Sequence, residues 1–302
     1  MVTNRGNLIF WEIYKMRKIF LASTALVALT SASAMATDIT ISGSSSLIMA
    51  DNATNTAGGG SINAEMDMSV SFSTTMDNGM SAGMGFALHE GSGVYDGLSW
   101  TLGGDFGTVK VTPGSTSSNY VAAMDDTGQY AGEGLDIGAD LLGAARGATP
   151  GTVVGLALPA MGGVSVALEA GQNHFGAGAT MGVGPATLNI AQMKSATIDG
   201  TSASIEIGMG DITIGYEQNK NEAGATETEG TIMGAKYVMG ATTLAYEAMQ
   251  HKTNSSKDKE STQIQASYTV TPGVTAVVSS SDISGSGVGT TELTEIQLKV
   301  SF

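Results

Sequence analysis

The sequence predicts an all-β fold, a transmembrane antiparallel β-barrel of sixteen strands, and three observations predict it. From Asp38 to Phe302 the apolar residues recur with period two, the mark of strands whose two faces meet different surroundings. No stretch of that region reaches the ~18 consecutive apolar residues that a spanning helix needs, so membrane residence has to be by closed barrel, which leaves no backbone amide facing lipid. Short Gly-rich turns alternate with longer polar connections, as a barrel with one tight rim and one open rim requires.

Composition agrees. The 302 residues include 42 glycines, 5 prolines and no cysteine, and 42% are hydrophobic against 14% charged. Gly, Ala, Ser, Thr, Val and Met carry the chain where a soluble core would draw on Leu and Phe, a balance suited to closely spaced strands and tight turns. Without cysteine there is no disulfide framework and no thiolate metal site, so the backbone ladder must hold the fold. The formal charge is −15, and removing residues 1–36 takes four of the 13 basic groups and one of the 28 acidic ones, leaving −18. Phosphate contacts need clustered Lys and Arg, so nucleic acid is not an expected partner.

The elements follow in chain order. Residues 16–36 read MRKIFLASTALVALTSASAMA, with Arg17 and Lys18 as a positive end, Ile19 to Leu29 as a short apolar run and Ala34-Met35-Ala36 as an A-x-A cleavage signal. Export with cleavage near Ala36 is therefore expected, with Met16 as the start of the signal, Met1 as the alternative start, and residues 1–15 as an N-terminal over-extension. Residues 37–302 are expected to form one domain.

Within it, Met66, Met68, Val70 and Phe72 alternate with Asp67, Ser69 and Ser71, and Val164, Val166 and Leu168 with Ser165 and Glu169. Ile212, Ile214 and Tyr216 alternate with Thr213, Gly215 and Glu217, and Ile264, Ala266, Tyr268 and Val270 with Gln263, Gln265, Ser267 and Thr269. In the last strand Ile296, Leu298, Val300 and Phe302 oppose Glu295, Gln297, Lys299 and Ser301. Thr37 to Met49 is expected to pair with Glu292 to Phe302, closing the sheet and removing its edges. Seven short turns, starting at Asp77, Gly103, Ala160, Val183, Gly208, Met239 and Thr271, fall on one rim. Eight longer connections, 51–60, 90–96, 113–150, 171–175, 195–200, 220–228, 252–260 and 284–290, fall on the other. The strands between them run to about 8 to 14 residues, enough for a tilted strand to cross the hydrocarbon layer. Trp100, Tyr216, Tyr237, Tyr246 and Tyr268 are candidates for the two interfacial aromatic girdles.

The signal sequence, the mature start DITISGSSSL, the segment GGDFGTVKV before a long loop and the ending LKVSF resemble, in that order, the porins of alphaproteobacteria, over essentially the whole chain after the signal. The resemblance implies a barrel in the bacterial outer membrane, surrounded by lipid, usually a homotrimer, enclosing a water-filled channel for passive diffusion of ions and small hydrophilic solutes. It also implies that the C-terminal strand ending in Phe302 is read by the barrel-insertion machinery, and that the third long loop folds into the lumen and narrows it. That loop, the 38-residue connection Pro113 to Pro150, is too long for an idle link. It holds Asp125, Asp126, Glu133, Asp136 and Asp140 with Arg146 as the sole opposing charge. Folded inward, these carboxylates form a constriction whose low-dielectric walls focus their field and concentrate cations; left on the surface, they are a solvated acidic loop. The family pattern sets basic wall residues against the loop, and Lys110, Arg146, Lys194, Lys236 and Lys299 are the candidates here. No arginine cluster exists, which departs from that pattern and argues against a strongly polarised eyelet; the acidic loop, folded inward, implies a cation-leaning passage.

Catalysis is not expected. His89, His174 and His251 fall in different loops or strand ends, so a Ser-His-Asp grouping would be coincidence. GGDFG lacks the Lys-Ser/Thr of a phosphate loop. No cofactor is expected either, and the acidic loops offer oxygens to Ca²⁺ without EF-hand spacing. The rival reading is a secreted or surface-attached Gly-rich acidic β-sandwich, an adhesin or structural protein, in which the same alternation packs two sheets face to face.

Overall fold

The computed structural model describes residues 37–52, 61–89, 95–113, 151–286 and 288–302, together with residues 120, 121, 124, 127–131, 141 and 145. The expected signal, residues 16–36, and the N-terminal extension lie outside the described residues. In chain order the strands are β1 (Thr37–Asn52), β2 (Ser61–Thr75), β3 (Ser81–His89), β4 (Tyr95–Gly104), β5 (Gly107–Thr112), β6 (Val153–Ala157), β7 (Val164–Ala170) and β8 (His174–Val183). They continue as β9 (Ala186–Ser195), β10 (Asp199–Met209), β11 (Ile212–Ala223), β12 (Thr226–Met239), β13 (Thr242–Thr253), β14 (Ser256–Thr271), β15 (Val274–Gly285) and β16 (Val288–Ser301). Each strand pairs antiparallel with its sequence neighbours, and β1 pairs with β16, so the sheet is a closed barrel and not a sandwich.

The closing register runs from Ser44 opposite Ser301 to Asn52 opposite Leu293. Beyond it Gly43 and Phe302 exchange two backbone hydrogen bonds, 2.9 and 3.0 Å. The Phe302 ring lies over Gly43, where a Cβ would sit 2.7 Å from the ring and 2.7 Å from the Asp67 carbonyl oxygen. Only glycine allows that approach. Gly43→Val is therefore expected to lower the yield of closed barrel several-fold, read as loss of the heat-modifiable band on unboiled gels; an unchanged band would show that the seam tolerates the side chain.

Burial is inverted relative to a water-soluble protein. Ile212, Ile214 and Tyr216 of β11 are exposed, while Glu217, Asn219 and Asn221 of the same strand are buried. The pattern repeats around the barrel: Ile264 on β14, Val278 on β15 and Ile296, Leu298 and Val300 on β16 point out, while Gln263, Ser279, Ser281 and Gln297 point in. Hydrocarbon outside and a polar interior require this order. Trp100, Tyr216, Tyr237, Tyr246 and Tyr268 all lie on the outer face and are exposed, as interfacial aromatics should be.

The seven short turns stand where the sequence puts them. The long-connection rim differs. Residues 220–228, 252–260 and 284–290 are mostly strand: β11 reaches Ala223 before β12 starts at Thr226, β13 reaches Thr253 before β14 starts at Ser256, and β15 reaches Gly285 before β16 starts at Val288. Polarity on both faces reads as loop, yet a ladder that has left the apolar layer meets water on both sides and needs no apolar face. The β13–β14 hairpin turns on Asn254 (φ 50) and Ser255 (φ 63), two left-handed residues that match the twist of the flanking strands. Outward side chains there pair with each other: Lys220 with Glu222 (2.9 Å) and Glu227 (2.8 Å), Lys252 with Glu229 (3.9 Å), and Lys257 with Glu260. The wall is of uneven height, β5 and β6 having 6 and 5 residues and β14 having 16.

Candidate functional site

On the inner face of β7 to β13, a set of glycines and carboxylates meets the described residues of the connection Pro113–Pro150. Gly176 and Gly178 on β8, Gly200 on β10, Gly215 on β11 and Gly234 on β12 all point inward; Gly176 is in register with Gly200 through Met193 of β9, and Gly215 is paired with Gly234. Each leaves a gap that an atom of the connection fills. A Cβ on Gly176 would lie 3.1 Å from Val121, one on Gly200 2.7 Å from Ala145, and one on Gly215 2.7 Å from the nitrogen and Cα of Gly128. A Cβ on Gly178 would overlap the Met124 sulfur, and one on Gly234 would overlap the Gly128 carbonyl oxygen. Gly128 itself has φ +89, a conformation that side chains of L residues disfavour. Two glycines facing each other across β11 and β12, Gly215 and Gly234, thus receive a third, backbone against backbone.

The two roots of the connection sit in a small apolar cluster. Val121 and Ala145, both fully buried, pack with Ala167, Ala191 and Met193, and Tyr120, Met124 and Ile198 flank them. Between the roots, carboxylates on the wall accept hydrogen bonds from the connection. Glu217 takes the Thr127 N–H at 2.8 Å and the Asn219 side-chain amide at 2.6 Å. Glu247 takes the Ala131 N–H at 3.2 Å, and Glu206 takes the Tyr130 hydroxyl at 2.7 Å. Glu169 accepts from Val121 N–H at 3.4 Å and lies 3.2 Å from His174 Nε2, both side chains fully buried. Asn221 donates to the Leu141 carbonyl at 2.7 Å, and Thr127, Ser204 and Asn189 form a hydroxyl-amide knot with contacts of 2.8 to 3.3 Å. Hydrogen bonds to a carboxylate are roughly twice as strong as neutral ones, which fits acidic groups at this buried seam.

Tyr130 meets the wall through both its hydroxyl and its ring. Burial first, and the hydrogen bond to Glu206 second, push its phenol above the ordinary 10.0, so the hydroxyl stays protonated and donates. A raised value means that its contribution to stability is complete below pH ~10 and is lost only as pH climbs through the folded-state value. Lys236 of β12 lies 4.9 Å from the centroid of the Tyr130 ring, a cation–π distance.

Of the sequence-based candidates, Lys110, Lys236 and Lys299 point inward. Lys110 stands beside Thr101 and Gly155, Lys236 beside Thr213 and Ala245, and Lys299 beside Ser46 and Thr275. Lys194 does not belong with them. It shares the outer face with its register partners Phe175 and Asp199 and is paired to Asp199 at 2.8 Å, because the inward positions of β9 are Ala191 and Met193. Asp125, Asp126, Glu133, Asp136, Asp140 and Arg146 lie outside the described residues. The sequence reading missed the anchoring role of Glu169, Glu206, Glu217 and Glu247. The available signal was an acidic residue at inward parity on strands whose neighbours carry inward glycine. Among the described residues, no three His, Asp or Glu side chains converge as metal ligands would.

Comparison with known proteins completes the site. The family described as Gram-negative porin matches residues 22–287. No curated protein matches the sequence. Among solved structures, the trimer form of OmpT, an outer membrane protein of Vibrio cholerae, is 12% identical over 88% of this chain and 100% of that chain, with a TM-score of 0.66. A porin refined at 1.8 Å resolution is 13% identical over 88% and 100%, with a TM-score of 0.68. A mutant of the Rh. blastica porin is 15% identical over 88% and 100%, with a TM-score of 0.61. At such identities the likeness speaks for the fold alone.

Proposed function

The chain belongs to the Gram-negative porin family, and from that premise we propose that the connection Pro113–Pro150 is the constriction of its channel and makes that channel favour cations. The protein is an outer-membrane barrel, and its barrel forms the channel. The observation that carries the constriction is the seat itself: a trough of inward glycines and four wall carboxylates bind the described residues of the connection to the inner face. A segment held there occupies cross-section that solutes would otherwise use.

Charge supports the preference. On the strands away from the seat, Asp38, Glu65, Asp67 and Glu295 point inward on β1, β2 and β16, against Lys110 on β5 and Lys299 on β16. The opposed basic wall that would polarise the passage is thus thin, and the proposal assigns the five carboxylates at Asp125, Asp126, Glu133, Asp136 and Asp140 to the same acidic interior. Acidic walls of low dielectric raise local cation concentration. The rest of the reading follows the family: residues 16–36 removed on export, residues 37–302 as the mature domain, an alphaproteobacterial subfamily, a homotrimer and recognition of the Phe302 strand by the insertion machinery. It is a channel without a reaction and without a required cofactor.

Bilayer recordings in a salt gradient test it. Neutralising the five carboxylates with Asn and Gln is expected to move the reversal potential from the cation side toward zero. A reversal potential that the five substitutions leave unchanged, or one on the anion side in the unaltered protein, would remove the proposal.

A further inference from the structure

We propose that the depth of the Gly215–Gly234 trough sets the size limit of the pore, so that these two wall glycines are its positioning residues although neither faces a passing solute. The proposal rests on the constriction reading. Its basis is steric and local. Nonbonded carbon and oxygen atoms settle near ~3.5 Å, and at Gly234 the Gly128 carbonyl already occupies the place of a Cβ. At Gly215 the Gly128 nitrogen and Cα and the Tyr130 hydroxyl all lie 2.7 Å from that place. Backbone therefore rests directly on backbone, and the connection sits as far from the pore axis as the chain allows.

One of the two surfaces must yield when a methyl group is added. The wall is a continuous ladder, with Gly215 paired to Gly234 and Glu206, and Gly234 paired in turn to Glu247. The connection is held at separated points, by Glu217 at Thr127, Glu206 at Tyr130 and Glu247 at Ala131. Those hydrogen bonds can lengthen and re-aim while the ladder cannot, so the connection moves inward by ~1 Å or more, the distance needed to restore van der Waals contact. The lumen narrows from one side, and no charge changes.

The same barrel supplies controls. Gly182 on β8 and Gly208 on β10 lie on the inner face too, and among the described residues a Cβ would meet nothing within 4 Å at Gly182 and only the Pro185 carbonyl at 3.9 Å at Gly208. Alanine at these positions changes strand propensity in the same way without touching a described residue of the connection.

The experiment compares Gly234→Ala and Gly215→Ala with Gly182→Ala and Gly208→Ala in the full-length protein. Heat-modifiable migration establishes that each barrel is closed. Swelling of proteoliposomes in sugars of graded size gives the size limit, and single-channel recordings give conductance and reversal potential. For the trough variants the size limit should fall by at least one sugar in the series and conductance by about a third, with an unchanged reversal potential, as expected when a pore narrows at constant charge. The control variants should match the original on every readout. A trough variant with an unchanged or larger size limit overturns the inference, as does a control that narrows equally. If the five-carboxylate variant shifts the reversal potential while Gly234→Ala leaves the size limit alone, the constriction stands and the trough falls. If neither moves, both fall.

Discussion

Replacing both Glu217 and Glu247 with alanine is expected to raise single-channel conductance about twofold, the response of a pore whose narrowing element has swung away. Glu217 is fully buried and Glu247 is 4% exposed, and between them they accept the Thr127 and Ala131 backbone amides and the Asn219 side chain. Without them those donors are left in a buried seam, at about 1–3 kcal/mol each, and the connection recovers solvation by leaving the wall. The ladder hydrogen bonds of β11 and β13 do not involve these side chains, so the barrel should still migrate as a heat-modifiable band. Glu217→Gln with Glu247→Gln keeps an acceptor oxygen at each position and should retain most of the original conductance. Protease added to intact vesicles should cut the alanine variant between residues 113 and 150 faster than the parent. A double alanine variant that folds, conducts normally and resists cleavage would show that these carboxylates do not hold the connection.

The second large effect concerns the outer face. Ile264→Lys is expected to cost folding free energy in a bilayer, between the about 0–1 kcal/mol of a cation near an interface and the about 2–4 kcal/mol of one at the midplane. Ile264 is 63% exposed on the outer face of β14, beside Tyr246 and Ser280. Its neighbour Gln265 faces inward beside Ala245 and Ser279. Gln265→Lys should fold almost as stably and shift the reversal potential slightly toward anions. Denaturant titration in phospholipid vesicles separates the two, and equal losses at both positions would contradict the assignment of faces.

How much of this was readable beforehand follows from how strongly each surrounding constrains the chain. Lipid admits only apolar side chains on alternate positions, so Ile212, Ile214 and Tyr216, or Ile296, Leu298 and Val300, announce both strand and face. Glycine turns such as Gly184 and Gly210 take left-handed φ at the short rim and were equally visible. Above the apolar band the constraint disappears. Gln192 and Lys194 are polar on the outer face, so nothing in their types marks the phase, and Lys194 was placed inside; Lys220 to Thr228 looked like a loop for the same reason. The seat was hidden for a different reason. Glu217 at inward parity looks like any water-facing residue, and only the cross-strand register, which sets it near Gly215 and Gly234 and under Thr127, shows that it is covered. Sequence distance also conceals such ties, since Glu217 and Thr127 are separated by 90 positions.

The hairpins joining β11 to β12 and β13 to β14 carry their hydrogen-bonded ladder past the apolar band, with turns of two residues at their tips. On that flank the cell presents a stiff palisade instead of slack chain. An attacking peptidase, which must thread an extended stretch through its cleft, finds little to grip there. A phage fibre or an antibody that recognises this flank must read the folded shape, so unfolding the barrel should abolish such recognition, and a short synthetic peptide copied from 220–228 should compete poorly for it.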